Sequence, residues 1–139
     1  PLVERFRDQY DPRVANRILK AADFTDQYVR EMHDARAEVI AGFERATGDV
    51  DALVLPTTPI IPPPLAAFVH DADYARLNVL VLRNPSLANF LDGCAISLPI
   101  HRQGEPPVGL MLIGRRGTDE RLLAIAQGIE SALNQRRLC

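Results

Sequence analysis

The sequence is poor in the residues from which reactive sites are usually built. Lys20 is the only lysine among the 16 basic residues, and arginine cannot act as a proton-transfer base near neutral pH because its pKa lies above about 12. Serine occurs only at Ser86, Ser97 and Ser131, no two of them adjacent, and no glycine follows another glycine. The chain therefore offers little from which to assemble a nucleophile, its base and a glycine-rich oxyanion loop.

Cysteine and long apolar runs are also scarce. Cys94 opens an apolar segment and Cys139 ends the chain, so we expect no disulfide framework and a reduced, cytoplasmic protein. No apolar run approaches the roughly 18–20 residues that span a bilayer. The first residues lack the apolar core of a signal peptide, and the absence of an initiator Met suggests a truncated chain.

What remains is the composition of an ordinary globular domain. The 139 residues are 47% hydrophobic and 24% charged, which suits one domain with a core. The net charge of −2 gives no general attraction to nucleic acid or to anionic membranes, so neither is expected as a partner.

The first third has helical patterning. Asp11 and Pro12 make a good N-cap and first-turn pair. A longer amphipathic helix is predicted over residues 25–47, and Gly48 is predicted to end it as a left-handed cap. Its apolar positions follow the i, i+3, i+4 spacing: Tyr28, Val29, Met32, Val39, Ile40 and Phe43.

The rest of the chain alternates short apolar runs with helical patterns. Residues 52–55 predict a strand buried on both faces, followed by a rigid proline-rich loop over 56–64. Residues 72–83 predict a helix, and Asn84-Pro85 is predicted to cap a separate short helical segment over 86–92. Two neighbouring strands, 95–98 and 108–113, and a closing helix over 119–133 complete an α/β layer with a mixed sheet of about three strands and three or four helices.

The order of these motifs resembles the C-terminal portion of amidase signature family enzymes. An Arg-Ile pair precedes a long helix, a strand ends in Pro-Thr and further prolines, and an Asn precedes a glycine turn and a strand that ends in Pro. A Pro-x-Gly-Leu-x-x-Ile-Gly strand and an acidic-capped helix follow. The corresponding segments here are Arg17-Ile18, 25–47, 51–59, 89–99, 107–114 and 119–133.

The resemblance implies amide hydrolysis through a serine acyl-enzyme. In that family a lysine acts through a second serine, held in a cis peptide, to deprotonate the nucleophilic serine, and a glycine-rich loop binds the oxyanion. That segment has no counterpart here, so we predict no catalytic residue in this chain and no hydrolysis by the chain alone. No cofactor is implied.

Two departures from the family pattern bear on the substrate. Asp92-Gly93-Cys94 stands where family members often have Gly-Leu-Pro or Gly-Val-Pro. The tRNA-amidating branch carries an acidic residue near the position of Leu82 or Arg83, where it holds the amino group of glutamine. A general amidase or a urea-derivative hydrolase is therefore favoured over a glutamyl-tRNA amidotransferase A subunit, which stays an alternative.

Three residues are predicted to contact the substrate. Arg17 aligns with a family arginine that can bind a substrate carboxylate through its planar donors; the alternative is a helix-surface arginine in a local ion pair. Asn89 can steady loops that line the pocket, and Ser86 lies near the predicted pocket mouth. A structural role is the alternative for both, as a turn residue and as a helix cap. Thr57 and Thr58 can also line a site after the first strand.

Other reactive side chains have simpler explanations. His33, Asp34 and Glu38 share a helix, but no second His or Cys lies at ligand spacing, so no metal site is predicted. Cys94 is predicted to be a buried, inert thiol because its surroundings are apolar.

Residues 1–139 are thus predicted to be the C-terminal portion of an amidase domain, with a helical part over 1–49 and the strands, proline-rich loop and closing helices over 50–139. The expected partner is a small-molecule amide substrate in the full-length enzyme. A fragment of this kind leaves core surface uncovered, so we expect an exposed apolar patch or self-association into a homo-oligomer. The alternative from a different class is a non-catalytic binding or assembly module.

Overall fold

The structure is a computed structural model that describes residues 2–137, with side chains described as far as Gln135. This part of the chain contains five α-helices, three β-strands and three short 3-10 turns. The helices are α1 Leu2–Arg5, α2 Pro12–Leu19, α3 Asp26–Ala46, α4 Asp71–Phe90 and α5 Asp119–Arg137; the strands are β1 Leu53–Pro56, β2 Cys94–Pro99 and β3 Gly109–Gly114; the 3-10 turns are Arg7–Gln9, Lys20–Asp23 and Leu65–Phe68. Cys139 lies outside the described residues.

The chain divides into two compact units, Pro1–Glu38 and Val39–Cys139. In the described part of the first unit, Val3 and Ala15 are the only buried residues. The predicted start of α2 is confirmed, since the Asp11 carboxylate accepts a hydrogen bond from the Arg13 N–H at 2.8 Å and Pro12 occupies the first turn. The predicted division of the chain at residue 49 stays a prediction.

The long helix α3 agrees with its predicted range to within one residue at each end. The predicted left-handed cap at Gly48 is wrong, because its φ is outside the left-handed region. The chain instead leaves the helix through a turn in which the Thr47 hydroxyl and N–H both donate to the carbonyl of Phe43. These bonds satisfy the Phe43 carbonyl, the first of the four carbonyls at the end of the helix that lack a partner within it.

Much of the apolar face of α3 is uncovered. The helix has no buried residue in the described structure, and Phe24 stacks on Tyr28 with ring centroids 5.1 Å apart while both rings stay exposed. Val29, Met32 and Val39 are exposed as well. An amphipathic helix normally buries its apolar side against another element. Several apolar side chains of this helix are therefore exposed, whereas a continuous apolar patch and self-association stay predictions.

The strands form one sheet in the order β1-β3-β2, and the predicted pairing of the two later strands is confirmed. Both pairings are antiparallel, with Leu55 opposite Met111 and Ser97 opposite the same methionine. The expected mixed sheet is therefore not found among the described strands. The α/β class and the strand count are confirmed.

Each face of the sheet carries one helix. On one face Leu98 and Leu112 pack with Leu122 and Ala126 of α5. On the other face Met111 and Ile113 pack with Ala88 of α4, and Leu53 and Leu55 pack against them. The prediction that the first strand is buried on both faces is wrong, because Val54 is 57% exposed at the sheet edge. A four-residue edge strand has only one neighbouring strand to cover it.

Helix α4 is continuous where a break was predicted. Pro85 lies inside it and Asn84 is buried rather than capping a second helix, so the predicted division at Asn84-Pro85 is wrong. Proline removes one backbone hydrogen bond from a helix interior. The helix tolerates that loss here because it buries Leu77, Asn84 and Ala88 on one side, and packing overrides local preference.

A tight turn joins α4 to β2. Asp92 has a φ of 53°, and the Gly93 N–H donates to the carbonyl of Ala88 at 3.0 Å. A Cβ at Gly93 would lie 2.7 Å from the carbonyl oxygen of Gly114, so glycine is required for close approach of the two backbones. Aspartate therefore takes the left-handed position next to it, a conformation that Asp and Asn tolerate better than most residues.

Candidate functional site

Two hydroxyl groups meet at the end of the sheet where the proline-rich loop begins. The Thr57 and Ser97 hydroxyl oxygens are 2.5 Å apart, although the two residues come from opposite outer strands. They meet across the central strand because Gly109 lies between them. A Cβ at Gly109 would come within 2.4 Å of both oxygens, so any side chain there would separate the pair.

A buried amide anchors the same end of the sheet to α4. The Asn84 side chain is 9% exposed, and its Nδ2 donates to the carbonyl of Pro56 at 2.7 Å. Its Oδ1 accepts from the Arg83 guanidinium at 3.3 Å. Because a buried amide must be hydrogen-bonded to avoid a desolvation penalty, this contact fixes the last residue of β1 against the helix.

These contacts hold the first residues of the proline-rich loop. The Thr57 N–H donates to the carbonyl of Gly109 at 2.8 Å and so extends the β1–β3 ladder by one residue. The Thr58 hydroxyl donates to the carbonyl of Ile60 at 2.9 Å. The loop therefore leaves the sheet from a position fixed by backbone and side-chain hydrogen bonds.

The arrangement is suited to binding rather than to bond cleavage. A pair of hydroxyls uses one of its two hydrogens internally and keeps the other, together with lone pairs, for a ligand with both a carbonyl and an N–H. No serine is hydrogen-bonded to a lysine, histidine or carboxylate within residues 2–137: Ser97 bonds Thr57, and Ser131 bonds the Gln127 carbonyl. Lys20 lies in an exposed 3-10 turn of the first unit.

Of the three residues that are predicted to contact the substrate, two lie in the second unit and one lies in the first. Arg17 lies in α2 of the first unit and is exposed. Ser86 and Asn89 are exposed on α4. Asn89 lines an open hollow of about 360 Å³ with Asp92, Gly93 and Arg116, at the end of the sheet where β2 begins. The hydroxyl pair is at the other end, so the substrate contacts of Ser86 and Asn89 stay predictions.

The sequence interpretation missed Ser97 and Gly109 as partners of Thr57. An isolated glycine inside an apolar strand pattern was the available signal, since it marks close approach of another group. Asn84 was interpreted as a helix cap. Asparagine suits both a helix cap and a buried side chain that bonds a distant carbonyl, and only the continuity of α4 distinguishes the two roles.

The remaining reactive groups have structural surroundings. Cys94 is half-buried rather than buried, and its Sγ lies 3.4 Å from the Arg115 carbonyl and 3.5 Å from the Thr118 hydroxyl. In the described part of the chain no three His, Cys, Asp or Glu side chains are grouped so as to hold a metal ion. None of the described helices is long and apolar enough to cross a membrane.

Comparison with known proteins identifies the family. The Amidase family profile matches residues 3–123. The chain is 34% identical over 134 residues to 2-amino-5-chloromuconic acid deaminase of Comamonas testosteroni, covering 92% of this chain and 28% of that protein. It is 30% identical to the A subunit of the glutamyl-tRNA(Gln) amidotransferase of Halobacterium salinarum, covering 88% of this chain and 30% of that protein.

The fold agrees with a solved structure. A crystal structure of an amidase superposes with a TM-score of 0.71 at 24% identity, covering 94% of this chain and 30% of the other. The chain thus spans about 28–30% of the length of these three proteins. Its motifs, its fold and the profile over residues 3–123 agree, and the chain belongs to the amidase family.

Proposed function

We propose that this chain is part of an enzyme that hydrolyses carboxamides through a serine acyl-enzyme, and that the nucleophile and its base come from polypeptide outside these 139 residues. Family membership supports amide hydrolysis. The external origin of the nucleophile and its base rests on one observation. None of the three serines, Ser86, Ser97 and Ser131, contacts a base within residues 2–137. A serine hydroxyl without an adjacent base is a weak nucleophile.

In this proposal the chain supplies a wall of the substrate pocket. Thr57 and Ser97 present hydroxyls beside the proline-rich loop, and Asn84 holds the base of that loop. Arg17, Ser86 and Asn89 remain proposed substrate contacts, with Arg17 binding a carboxylate where the substrate has one. The reaction as proposed needs no metal or cofactor. A cytoplasmic location, proposed from cysteine usage, is compatible with this chemistry.

The test compares the chain alone with the chain in an amidase context. The purified chain should not hydrolyse simple carboxamides such as benzamide. A chimaera in which the chain replaces the matching segment of the Comamonas testosteroni relative should do so. Replacing Ser86, Ser97 and Ser131 together by alanine should leave the acyl-enzyme detectable in the chimaera, because these serines are not the nucleophile. Hydrolysis by the isolated chain that one of these substitutions abolishes would refute the proposal.

A second candidate is the A subunit of a glutamyl-tRNA amidotransferase, favoured by the 30% identity to the Halobacterium salinarum protein. Leu82 or Arg83 stands near the position where the family resemblance implies an acidic residue in the tRNA-amidating branch, and the absence of an acidic residue at both opposes this candidate. Glutamine hydrolysis by the chimaera that exceeds benzamide hydrolysis would favour this candidate. A chimaera that folds but hydrolyses neither amide would favour the remaining alternative, a non-catalytic binding or assembly module.

A further inference from the structure

The guanidinium of Arg83 is bonded to a neutral side chain instead of a carboxylate. Its Nε donates to the Oδ1 of Asn84 at 3.3 Å, and Asn84 is 9% exposed and fixed by its own bond to the Pro56 carbonyl. Arg76, on the same helix, instead pairs with Asp73 at 3.4 Å. No described carboxylate forms an ion pair with Arg83. The N–H donors of its two terminal nitrogens therefore have no described anionic partner.

The elements around this guanidinium contain almost no acidic residue. None occurs in residues 52–70, 74–91, 93–104 and 106–114, which contain the three strands, the proline-rich loop and all but the first three residues of α4. The nearest acidic residues in sequence, Asp73 and Asp92, lie at the two ends of α4, about 10 Å or more along the helix from Arg83. An anion that approaches Arg83 is therefore not repelled at close range by these elements.

The hydroxyl pair of Thr57 and Ser97 lies on the face of the sheet that carries α4. Ser97 is opposite Met111, whose side chain packs with Ala88 of that helix, and directly opposite residues project to the same face. The two hydroxyls use one hydrogen between them and have a second hydrogen and lone pairs for a ligand. This face therefore presents hydroxyl donors next to the helix that carries Arg83.

Asn84 links the guanidinium to this end of the sheet. One atom of its amide accepts from Arg83, and the other donates to the carbonyl of Pro56, the residue before Thr57. Because the amide is buried, rotating it would cost both hydrogen bonds. The cation and the hydroxyl groups are therefore fixed at one end of the sheet before any ligand binds, which reduces the entropy lost on binding.

We propose that Arg83 binds a carboxylate of the substrate, so that the enzyme acts on carboxamides that also carry a carboxylate. The guanidinium has planar, paired N–H donors that match the two oxygens of a carboxylate. The Thr57–Ser97 hydroxyls bond the other polar atoms of the ligand. The inference rests on the proposed function in taking the ligand to be its substrate, and it adds Arg83 in the second unit to the contact proposed for Arg17.

The test compares 4-carboxybenzamide with benzamide, which lacks only the carboxylate. In NMR titrations of the isolated chain, 4-carboxybenzamide should shift the Arg83 Nε–H signal in a saturable way, and benzamide should not. In the chimaera with the Comamonas testosteroni relative, Arg83→Gln should lower kcat/KM for 4-carboxybenzamide relative to benzamide by about 10- to 100-fold, the usual loss for a charge-assisted hydrogen bond. Arg83→Lys should recover only part of this preference, because lysine has the charge without the paired donors.

Arg76→Gln is the matched control. It removes the same charge from an exposed position on the same helix, where the arginine pairs with Asp73. It should leave the preference for 4-carboxybenzamide unchanged. Equal losses with Arg76→Gln and Arg83→Gln would assign the preference to the overall charge of the chain and overturn the proposal. Loss of the preference with Arg17→Gln but not with Arg83→Gln would overturn it as well.

Further outcomes separate this inference from the proposed function. Saturable binding of 4-carboxybenzamide at Arg83, with hydrolysis of neither amide by a folded chimaera, refutes the function while the binding site stands. Hydrolysis of both amides with a preference that Arg83→Gln leaves unchanged refutes the site while the function stands. If Arg83→Gln lowers only the unfolding midpoint of the chimaera, Arg83 pairs with a carboxylate of the added polypeptide, and the proposal is wrong. An Arg83 signal that 4-carboxybenzamide leaves unchanged in both proteins would also overturn it.

Discussion

Two glycines, one in a strand and one in a helix, have opposite consequences for stability. At Gly109 an added Cβ would lie 2.4 Å from the hydroxyls of both Thr57 and Ser97, whereas at Gly128, on the exposed side of α5, it would meet nothing within 4 Å. Glycine is therefore required at position 109 in the strand. At position 128 in the helix it lowers stability, because glycine loses more conformational entropy on folding than other residues.

Substituting these two glycines by alanine should change stability in opposite directions. Gly109→Ala should lower the free energy of unfolding by about 1–3 kcal/mol, the usual cost of forcing an extra methyl into a packed site. Gly128→Ala should raise it by about 0.5–1 kcal/mol through the better helix propensity of alanine. Urea unfolding of both variants measures the difference. Equal effects would show that the hydroxyl pair does not form in solution.

Asp11 should make the first unit sensitive to acid. Hydrogen bonds from the Arg13 side chain and N–H hold the pKa of the Asp11 carboxyl below its usual value. A carboxyl whose pKa is lower in the folded state stabilises that state above the unfolded-state pKa, and the contribution is lost as pH falls through the folded-state pKa. Carbon NMR should show the pKa of Asp11 below the usual value for an aspartate, and Arg13→Ala should raise it. A pKa unaffected by that substitution would contradict this account.

At the scale of elements, α4 shows that sequence patterns predict where helices lie better than they predict whether two neighbouring helical segments form one helix. Asn84-Pro85 has the local chemistry of a helix start, and nothing in the sequence reveals that Asn84 instead reaches Pro56, 28 positions earlier. The pairing of β2 with β3 was predictable because a short turn connects two apolar runs. The neighbours of β1 and the exposure of Val54 were not, since they depend on contacts distant in sequence.

Asn84→Ala tests the tether between α4 and β1. Removing the amide leaves the Pro56 carbonyl without its partner in a partly buried site, which should cost about 1–3 kcal/mol of unfolding free energy. Ser86→Ala, an exposed change on the same helix, should stay within about 0.5 kcal/mol of the parent. Chemical denaturation gives both values. An Asn84→Ala variant as stable as Ser86→Ala would mean that the loop is held by the sheet alone.

The candidate site was predictable only in part, for the same reason. Thr57 was identified from its place after a strand, whereas its partner Ser97 lies 40 positions away and is brought to it by the sheet register. Arg17 was identified by resemblance alone, and it belongs to a different compact unit from Ser86 and Asn89. Local motifs therefore predicted the elements of this amidase segment, while the hydroxyl pair required the fold.

On the scale of the whole molecule, burial is concentrated in the second unit. Leu112 and Ile113 of the central strand are almost completely buried, while the described part of the first unit buries only Val3 and Ala15. Because hydrophobic burial is the main favourable contribution to folding, the two units should differ strongly in their resistance to local opening.

Native-state hydrogen exchange should reveal that difference. Amides of β3, which bond strands on both sides, should exchange at a rate set by global unfolding, and those of α2 should exchange faster through local opening of the first unit. Leu112→Ala should accelerate exchange throughout the second unit while leaving α2 nearly unchanged, since α2 opens independently of that core. Acceleration of both units by the same factor would show that they unfold together, and the division after Glu38 would then have no energetic meaning.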